Sequence, residues 1–169
     1  MSEKHSVITE LYEVKVKDLL EPINAKISFV EKTDAIEQVF LLLGKKNHVW
    51  VVDDSITLHV LGVITESDTL QLFAPPYTPL QSFDKPTLQS FQYGLATTAE
   101  EIMSKRPITA DPNERIIDVI VKMKQHKIKQ LPVVDENERL IGEVSLSRLI
   151  QEFSKRQADI IKKKKTEIT

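Results

Sequence analysis

Cysteine is absent from this 169-residue chain, which excludes disulfides, thiolate zinc sites and cysteine nucleophiles together. Long apolar runs are absent too. None approaches the ~20 residues needed to span a bilayer, and the opening Met1-Ser2-Glu3-Lys4-His5 lacks the apolar core of a signal peptide. The expected location is the cytoplasm, with no membrane partner. Glycine occurs only four times, and no glycine-rich loop runs into Lys-Ser or Lys-Thr. There is no Gly-x-Ser-x-Gly and no pair of carboxylates at catalytic spacing. His5, His48, His59 and His126 are scattered rather than set at a metal-binding interval. No residue stands out for catalysis, so the chain is expected not to be an enzyme, and no cofactor or metal is required. Charge of one sign is lacking as well: 23 Lys and Arg stand against 25 Asp and Glu, a net charge of −2. Such a balance gives no general field for nucleic acid.

What is present is an ordinary globular composition, 41% apolar and 28% charged. Residues Met1 to Glu10 are polar and are expected to lie loosely at the surface. A short apolar pattern runs from Val14 to Leu20, and Ala25 to Val30 alternates like a strand. Thr33 and Asp34 are expected to cap a helix from Ala35 to Leu43, with Ile36, Val39, Phe40 and Leu43 on one face and Gly44 at its end. Val49 to Val52 reads as a buried strand, Asp53-Asp54-Ser55 as a turn, Val60 to Ile64 as a second strand, and Glu66 to Phe73 as a short helix. A proline- and aromatic-rich connector follows at residues 74–97. Its Tyr77, Phe83, Phe91 and Tyr93 favour order over a flexible linker.

The pattern then repeats. Ala99 to Met103 matches Val16 to Leu20, and Pro107 to Ala110 matches the strand near Ile27. A helix is expected from Glu114 to Gln125, carrying Ile116, Ile117, Ile120 and Met123. Leu131-Pro132-Val133-Val134-Asp135 matches Val49-Trp50-Val51-Val52-Asp53, and Gly142 to Ser145 matches Gly62 to Thr65. The last helix runs from Leu146 towards Arg156, with its continuation into Lys162 to Lys165 left open, and residues 157–169 form a lysine-rich tail. The offset drifts from 83 residues at Leu19 and Ile102 to 80 at Gly62 and Gly142, so length differences fall in loops. The chain is a tandem duplication of a β-α-β-β-α unit, residues 14–73 and 98–156. Units this small bury little alone. The expected fold is therefore α/β, two repeats packed about a pseudo-twofold axis as one module with two equivalent clefts.

Both repeats turn from strand to helix through Gly-x-x-hydroxyl: Gly62-Val63-Ile64-Thr65-Glu66-Ser67-Asp68, then Gly142-Glu143-Val144-Ser145-Leu146-Ser147-Arg148. A helix start offers free amides and a positive dipole end, which suits an anion. On its own, Thr65 with Asp68 is a capping pair. Recurrence of the setting shifts the reading towards a ligand: Asp68 can accept a ribose diol, and Thr65 with the helix start can take a phosphate. Arg148 has no acceptor for a diol. It can hold a phosphate or pair with Glu152 on its own helix, and both readings stay open. His48 and Gln130 stand at matching positions before the second strands, with Lys129 beside Gln130. On the residues alone these read as solvated strand ends. Trp50 reads as core or dimer contact rather than a stacking platform.

This order of elements, with Leu-Pro-Val-Val-Asp and Ile-Gly-Glu-Val-Ser-Leu-Ser, resembles the cystathionine-β-synthase (CBS) domain, and the duplication resembles the tandem CBS pair. The second copy is similar to the repeats of the gamma subunit of AMP-activated protein kinase. The resemblance implies a regulatory module that binds an adenosyl nucleotide (AMP, ADP, ATP or S-adenosylmethionine) in an inter-repeat cleft and pairs into a homodimer. Its motif, Gly-x-x-Thr/Ser-x-x-Asp/Asn, is met in full by Gly62, Thr65 and Asp68. Gly142 and Ser145 meet it in part, with Arg148 at the acidic position. Ala25, Ile27 and Ile108 read as core on any account, and the resemblance further implies that some of them also line an adenine slot and that His48 and Lys129 reach phosphates. An unidentified effector protein would receive the signal. Two other classes stand beside this one. One is a ligand-free scaffold that dimerises or docks a partner. The other, less favoured, is RNA binding through Lys162 to Lys165, a run that otherwise reads as a frayed, solvated helix end.

Overall fold

The computed structural model describes residues 3–23, 27–73 and 97–167. These form two compact units. Unit 1 joins Met1–Ile27 to Ile108–Thr169, and unit 2 is Ser28–Pro107. The units cut across the sequence repeats, because the first segment of each repeat belongs with the body of the other.

Unit 1 holds α1 (Glu3–Glu13), α2 (Val16–Leu19), β1 (Glu21–Pro22), and then, after the chain returns, helix Ile116–His126, strands Gln130–Val134 and Leu140–Ser145, and helix Leu146–Glu167. Numbered along the whole chain, these last four are α6, β6, β7 and α7. Its sheet has the order β1-β7-β6, antiparallel throughout. Unit 2 holds β2 (Phe29–Glu31), α3 (Ile36–Leu43), β3 (His48–Val52), β4 (Val60–Thr65), α4 (Glu66–Phe73), α5 (Ala99–Ile102) and β5 (Ser104–Lys105). Its sheet has the order β2-β3-β4-β5, with β2 parallel to β3 and the other pairs antiparallel.

The apolar periods find their expected partners. On α3, Ile36, Val39 and Leu43 are buried, with Phe40 packed beside them, and they cover Val49, Val51 and Ile64. On α6 the buried residues are Ile116, Val119 and Met123, which meet Leu131, Val133 and Val144. Ile120 is only partly buried on that face. Each such side chain removed from water contributes roughly 1.5–3 kcal/mol.

Several expectations are corrected. Residues 3–10 are not loose: they belong to α1, where Val7 is fully buried and Leu11 sits in the unit 1 core. Val7, Ile8 and Leu11, within one turn, are too short a pattern to declare a helix. Its packing against α6 and α7 holds it. Thr33 and Asp34 do not cap α3. The N-cap is Ala35 without a side-chain bond, and the Asp34 carboxylate instead accepts the Glu31 amide at 2.8 Å. The Ile36 amide is met by the Thr97 carbonyl at 3.1 Å. The strand expected over Ala25 to Val30 begins only at Phe29, and Ala25 lies outside the described residues. Pro107 to Ala110 is not a strand, since proline lacks the ladder N–H, and only Ala110 bridges to Val133. The last helix, whose extension beyond Arg156 the sequence leaves open, continues to Glu167. The connector aromatics Tyr77, Phe83, Phe91 and Tyr93 lie outside the described residues.

The β3–β4 turn is organised by Asp53 and Asp54. Asp53 accepts the amides of Asp54 and His59 at 2.8 Å and the His59 ring nitrogen at 2.9 Å. Asp54 accepts the amides of Ile56 and Thr57. Partial burial alone would raise the Asp53 pKa. Hydrogen bonds from Thr57, Asp54 and His59 outweigh it and hold the group down from 3.8 to about 2. Because the folded value lies below the unfolded one, this stabilisation is complete above about pH 4 and is lost as pH falls through about 2. Urea unfolding midpoints should therefore fall between pH 4 and pH 2, and Asp53→Asn should flatten part of that fall. An unchanged slope in the variant would show that the turn carries no such linkage.

Candidate functional site

In unit 2, β4 passes directly into α4, and Thr65 is the last residue of the strand. The Asp68 carboxylate turns back to this junction. One of its oxygens accepts the Thr65 amide at 2.7 Å and the Thr65 hydroxyl at 2.8 Å. The other accepts the Ser104 hydroxyl from β5 at 3.1 Å. Asp68 thus caps its own helix, as a Thr-x-x-Asp pair alone would suggest. A carboxylate has about four lone-pair sites, and three are taken here, one of them by a freely rotating serine hydroxyl.

Strand register brings His48 directly opposite Thr65. The His48 ring lies 2.7 Å from the Asn47 side-chain oxygen and edge-on to Trp50, 5.0 Å between centroids. Trp50 itself is 2% exposed, a core residue. Gly62, three residues before Thr65, faces Lys105 of β5. A Cβ there would meet the Met103 sulfur at 2.6 Å and the Ser104 carbonyl at 2.9 Å. The glycine therefore serves the close approach of β5, and through it the placement of Ser104.

Unit 1 repeats the geometry with different chemistry. Ser145 ends β7, opposite Gln130, and its hydroxyl accepts the Arg148 amide at 3.2 Å. That hydroxyl donates to the Glu21 carboxylate of β1, also at 3.2 Å. The Leu146 amide bonds the Lys129 carbonyl at 2.7 Å, while the Lys129 side chain is exposed. Arg148 does not pair with Glu152, because Glu152 is taken by Arg156 at 2.9 Å. Among the described residues the Arg148 guanidinium has no partner. Gly142 is packed still more closely than Gly62: a Cβ would sit 2.3 Å from the Glu21 carbonyl oxygen.

The structure thus gathers Gly62, Thr65, Asp68 and His48 in unit 2, and Ser145, Arg148 and Lys129 in unit 1. Ile27 and Ile108 both belong to unit 1, Ile27 buried and Ile108 against its core. The sequence reading missed Ser104 and Glu21. They are matched positions at the 83-residue offset between the two copies, so the repeat alignment held the signal. Among the described residues there is no cluster of metal-binding side chains, and no helix is long and apolar enough to cross a membrane.

Comparison with known proteins agrees with the fold. The CBS domain family model matches residues 99–155. The CBS domain pair of protein MJ0100, solved with 5′-methylthioadenosine and S-adenosyl-L-methionine, is 26% identical with a TM-score of 0.62, covering 85% of this chain and 98% of that one. CBSX2 in complex with AMP has a TM-score of 0.64 at 22% identity, covering 88% and 98%. The CBS domain of a bacterial CNNM/CorC family Mg2+ transporter with ATP has a TM-score of 0.66 at 21% identity, covering 90% and 95%. Residues 99–155 thus match the CBS domain, and the chain has the mixed α/β fold of the solved CBS domain pairs. Among curated proteins it is 32% identical over 141 residues to an L-aspartate semialdehyde sulfurtransferase of Methanocaldococcus jannaschii, matching 79% of this chain and 23% of that protein. It is 25% identical over 146 residues to a homoserine O-acetyltransferase of Methanosphaera stadtmanae, matching 86% and 25%. The chain spans about a quarter of the length of these relatives.

Proposed function

We propose that the chain is a regulatory module that binds an adenosyl nucleotide (AMP, ADP or ATP) at the Thr65–Asp68 junction of unit 2, without catalysis. The observation that carries this reading is the Asp68 carboxylate, half-buried at a strand-to-helix turn with one lone-pair site open and another held only by the Ser104 rotor. Asp68 accepts the two ribose hydroxyls, one directly and one as Ser104 turns away. Thr65 and the start of α4 receive the phosphate, which the helix dipole favours, and His48 stands across the strand pair to assist. The AMP, ATP and S-adenosylmethionine complexes of the similar CBS structures support the same ligand class. Occupancy is transmitted through differential affinity for two arrangements, to a homodimer partner or an effector protein in the cytoplasm.

One observation favours the scaffold reading instead. Capping accounts for Asp68, and strand packing accounts for Gly62 and Gly142, without any ligand. A thermal-shift panel of AMP, ADP, ATP and S-adenosylmethionine separates the two. A ligand present at a hundred times its Kd adds about 2.7 kcal/mol to native stability, so at least one member should raise Tm by several degrees. No shift with any of them at millimolar concentration would leave the scaffold.

A further inference from the structure

The two units differ in how far they cover the outer apolar face of their helices. In unit 2, Leu41 of α3 and Leu70 and Phe73 of α4 are 66%, 65% and 70% exposed, and Phe73 stacks on Phe40 of α3 with 5.8 Å between ring centroids. At the 80-residue offset their counterparts are Val121 of α6 and Ile150 and Phe153 of α7. There α1 is the cover: it packs on both helices, and its Leu11 lies in the core cluster against which Phe153 is partly buried. We infer that the end of the connector, residues 86–96, is the unit 2 counterpart of α1 and packs over Leu41, Leu70 and Phe73. These residues lie outside the described ones, and the inference is independent of any ligand.

The duplicated backbone bonds lead there. In unit 1 the chain leaving α1 is fastened beside the start of α6. The Ile116 amide bonds the Val14 carbonyl, the Val16 amide the Glu114 carbonyl and the Lys17 amide the Pro112 carbonyl, each at 2.9 Å. The same three bonds recur in unit 2 at matched positions: Ile36 amide to Thr97 carbonyl at 3.1 Å, Ala99 amide to Asp34 carbonyl and Glu100 amide to Lys32 carbonyl at 3.0 Å. Thr97 thus stands where Val14 stands, and the residues before it arrive at α3 as α1 arrives at α6. Their sequence suits the role. Leu88, Phe91 and Leu95 recur at i, i+3 and i+7, the spacing of one apolar helix face, and residues 86–96 carry no charge. The connector's other end leaves from Phe73 itself, so the segment is tethered on both sides of the face it covers. Such a tether gives an effective concentration of about millimolar, well above that of a second copy in dilute solution. Two copies of this face brought together would also set the exposed Glu37 and Glu66, one turn from Leu41 and Leu70, towards like charge.

Because the chain has no cysteine of its own, introduced thiols test this directly. Leu41→Cys is combined in turn with Leu88→Cys, Phe91→Cys and Leu95→Cys in the full chain, and each pair is oxidised under mild conditions. At least one pair should close into an intramolecular disulfide at a rate independent of protein concentration. In a second measurement, a maleimide should label Leu70→Cys at least tenfold faster once Phe91→Ser and Leu95→Ser are added, with circular dichroism showing that the fold persists. Should the serine variant unfold, the disulfide pairs alone decide. The inference is overturned if no pair closes, or if the folded serine variant is labelled at the unchanged rate. It is equally overturned if Leu41→Cys alone cross-links into covalent dimers at a rate that rises with concentration, which would make a second copy the occupant.

Discussion

Gly142→Ala is expected to destabilise the protein by about 3 kcal/mol, beyond what a surface change of one methyl costs. The added Cβ would lie 2.3 Å from the Glu21 carbonyl oxygen and 2.5 Å from a Leu20 methyl. The leucine can turn, but the carbonyl belongs to β1 and moves only if the strand moves. Displacing β1 breaks its pairing at Glu21 with Glu143 and Pro22 with Gly142, and pulls on the bond from the Ile23 amide to the Ile141 carbonyl. Leu19, buried in the unit 1 core two residues earlier, is drawn along. Against this, alanine recovers only roughly 0.5–1 kcal/mol of backbone entropy relative to glycine. Gly62→Ala should cost less, since its nearest contact is the flexible Met103 side chain and the Ser104 carbonyl stands at 2.9 Å. Urea titrations of both variants give the comparison. A Gly142→Ala protein within about 0.5 kcal/mol of wild type would mean that β1 is free to shift.

Asp68→Ala should lower adenine-nucleotide affinity at unit 2 by at least about a hundredfold while costing only about 1 kcal/mol of folding stability. Charge-assisted bonds to two ribose hydroxyls contribute roughly 1.5–3 kcal/mol each, reduced by what Thr65 and Ser104 already gain from the same carboxylate in the free protein. Loss of a helix cap costs typically about 1 kcal/mol. The ratio of the two losses is what distinguishes the readings, because a carboxylate that only caps its helix has no affinity to lose. Asp68→Asn refines the comparison. It retains an acceptor for the Thr65 amide and removes the charge, so it should restore most of the stability and little of the binding.

Much of the fold could be read from sequence because the signals were local. The i, i+3, i+7 pattern of Ile36, Val39 and Leu43 declared α3, and the recurrence of Val-Val-Asp and Gly-x-x-hydroxyl at similar offsets declared the duplication. Thr65, Asp68 and His48 were legible for the same reason, since a junction motif and a strand register fix their neighbourhood. What stayed hidden depends on long-range contact. α1 is helical because Val7 and Leu11 are buried by α6 and α7, more than 100 residues away in sequence. β1 and β5 are two residues long and carry no period, so nothing local says that each joins the sheet of the other repeat. Ser104 and Glu21 reach the helix junctions only through that exchange. The Thr33–Asp34 cap misled because an aspartate can close a turn backwards on Glu31 as readily as it caps forwards.

The most direct measurement is a backbone-amide NMR titration of the full chain with AMP. Saturable shift changes at Thr65, Glu66, Ser67 and Asp68, accompanied by Ser104 as its hydroxyl gives way, are the expected result, and they should vanish in Asp68→Ala. Saturation that leaves these five amides unmoved, or that moves them equally in the variant, would contradict the assignment of the nucleotide to this junction.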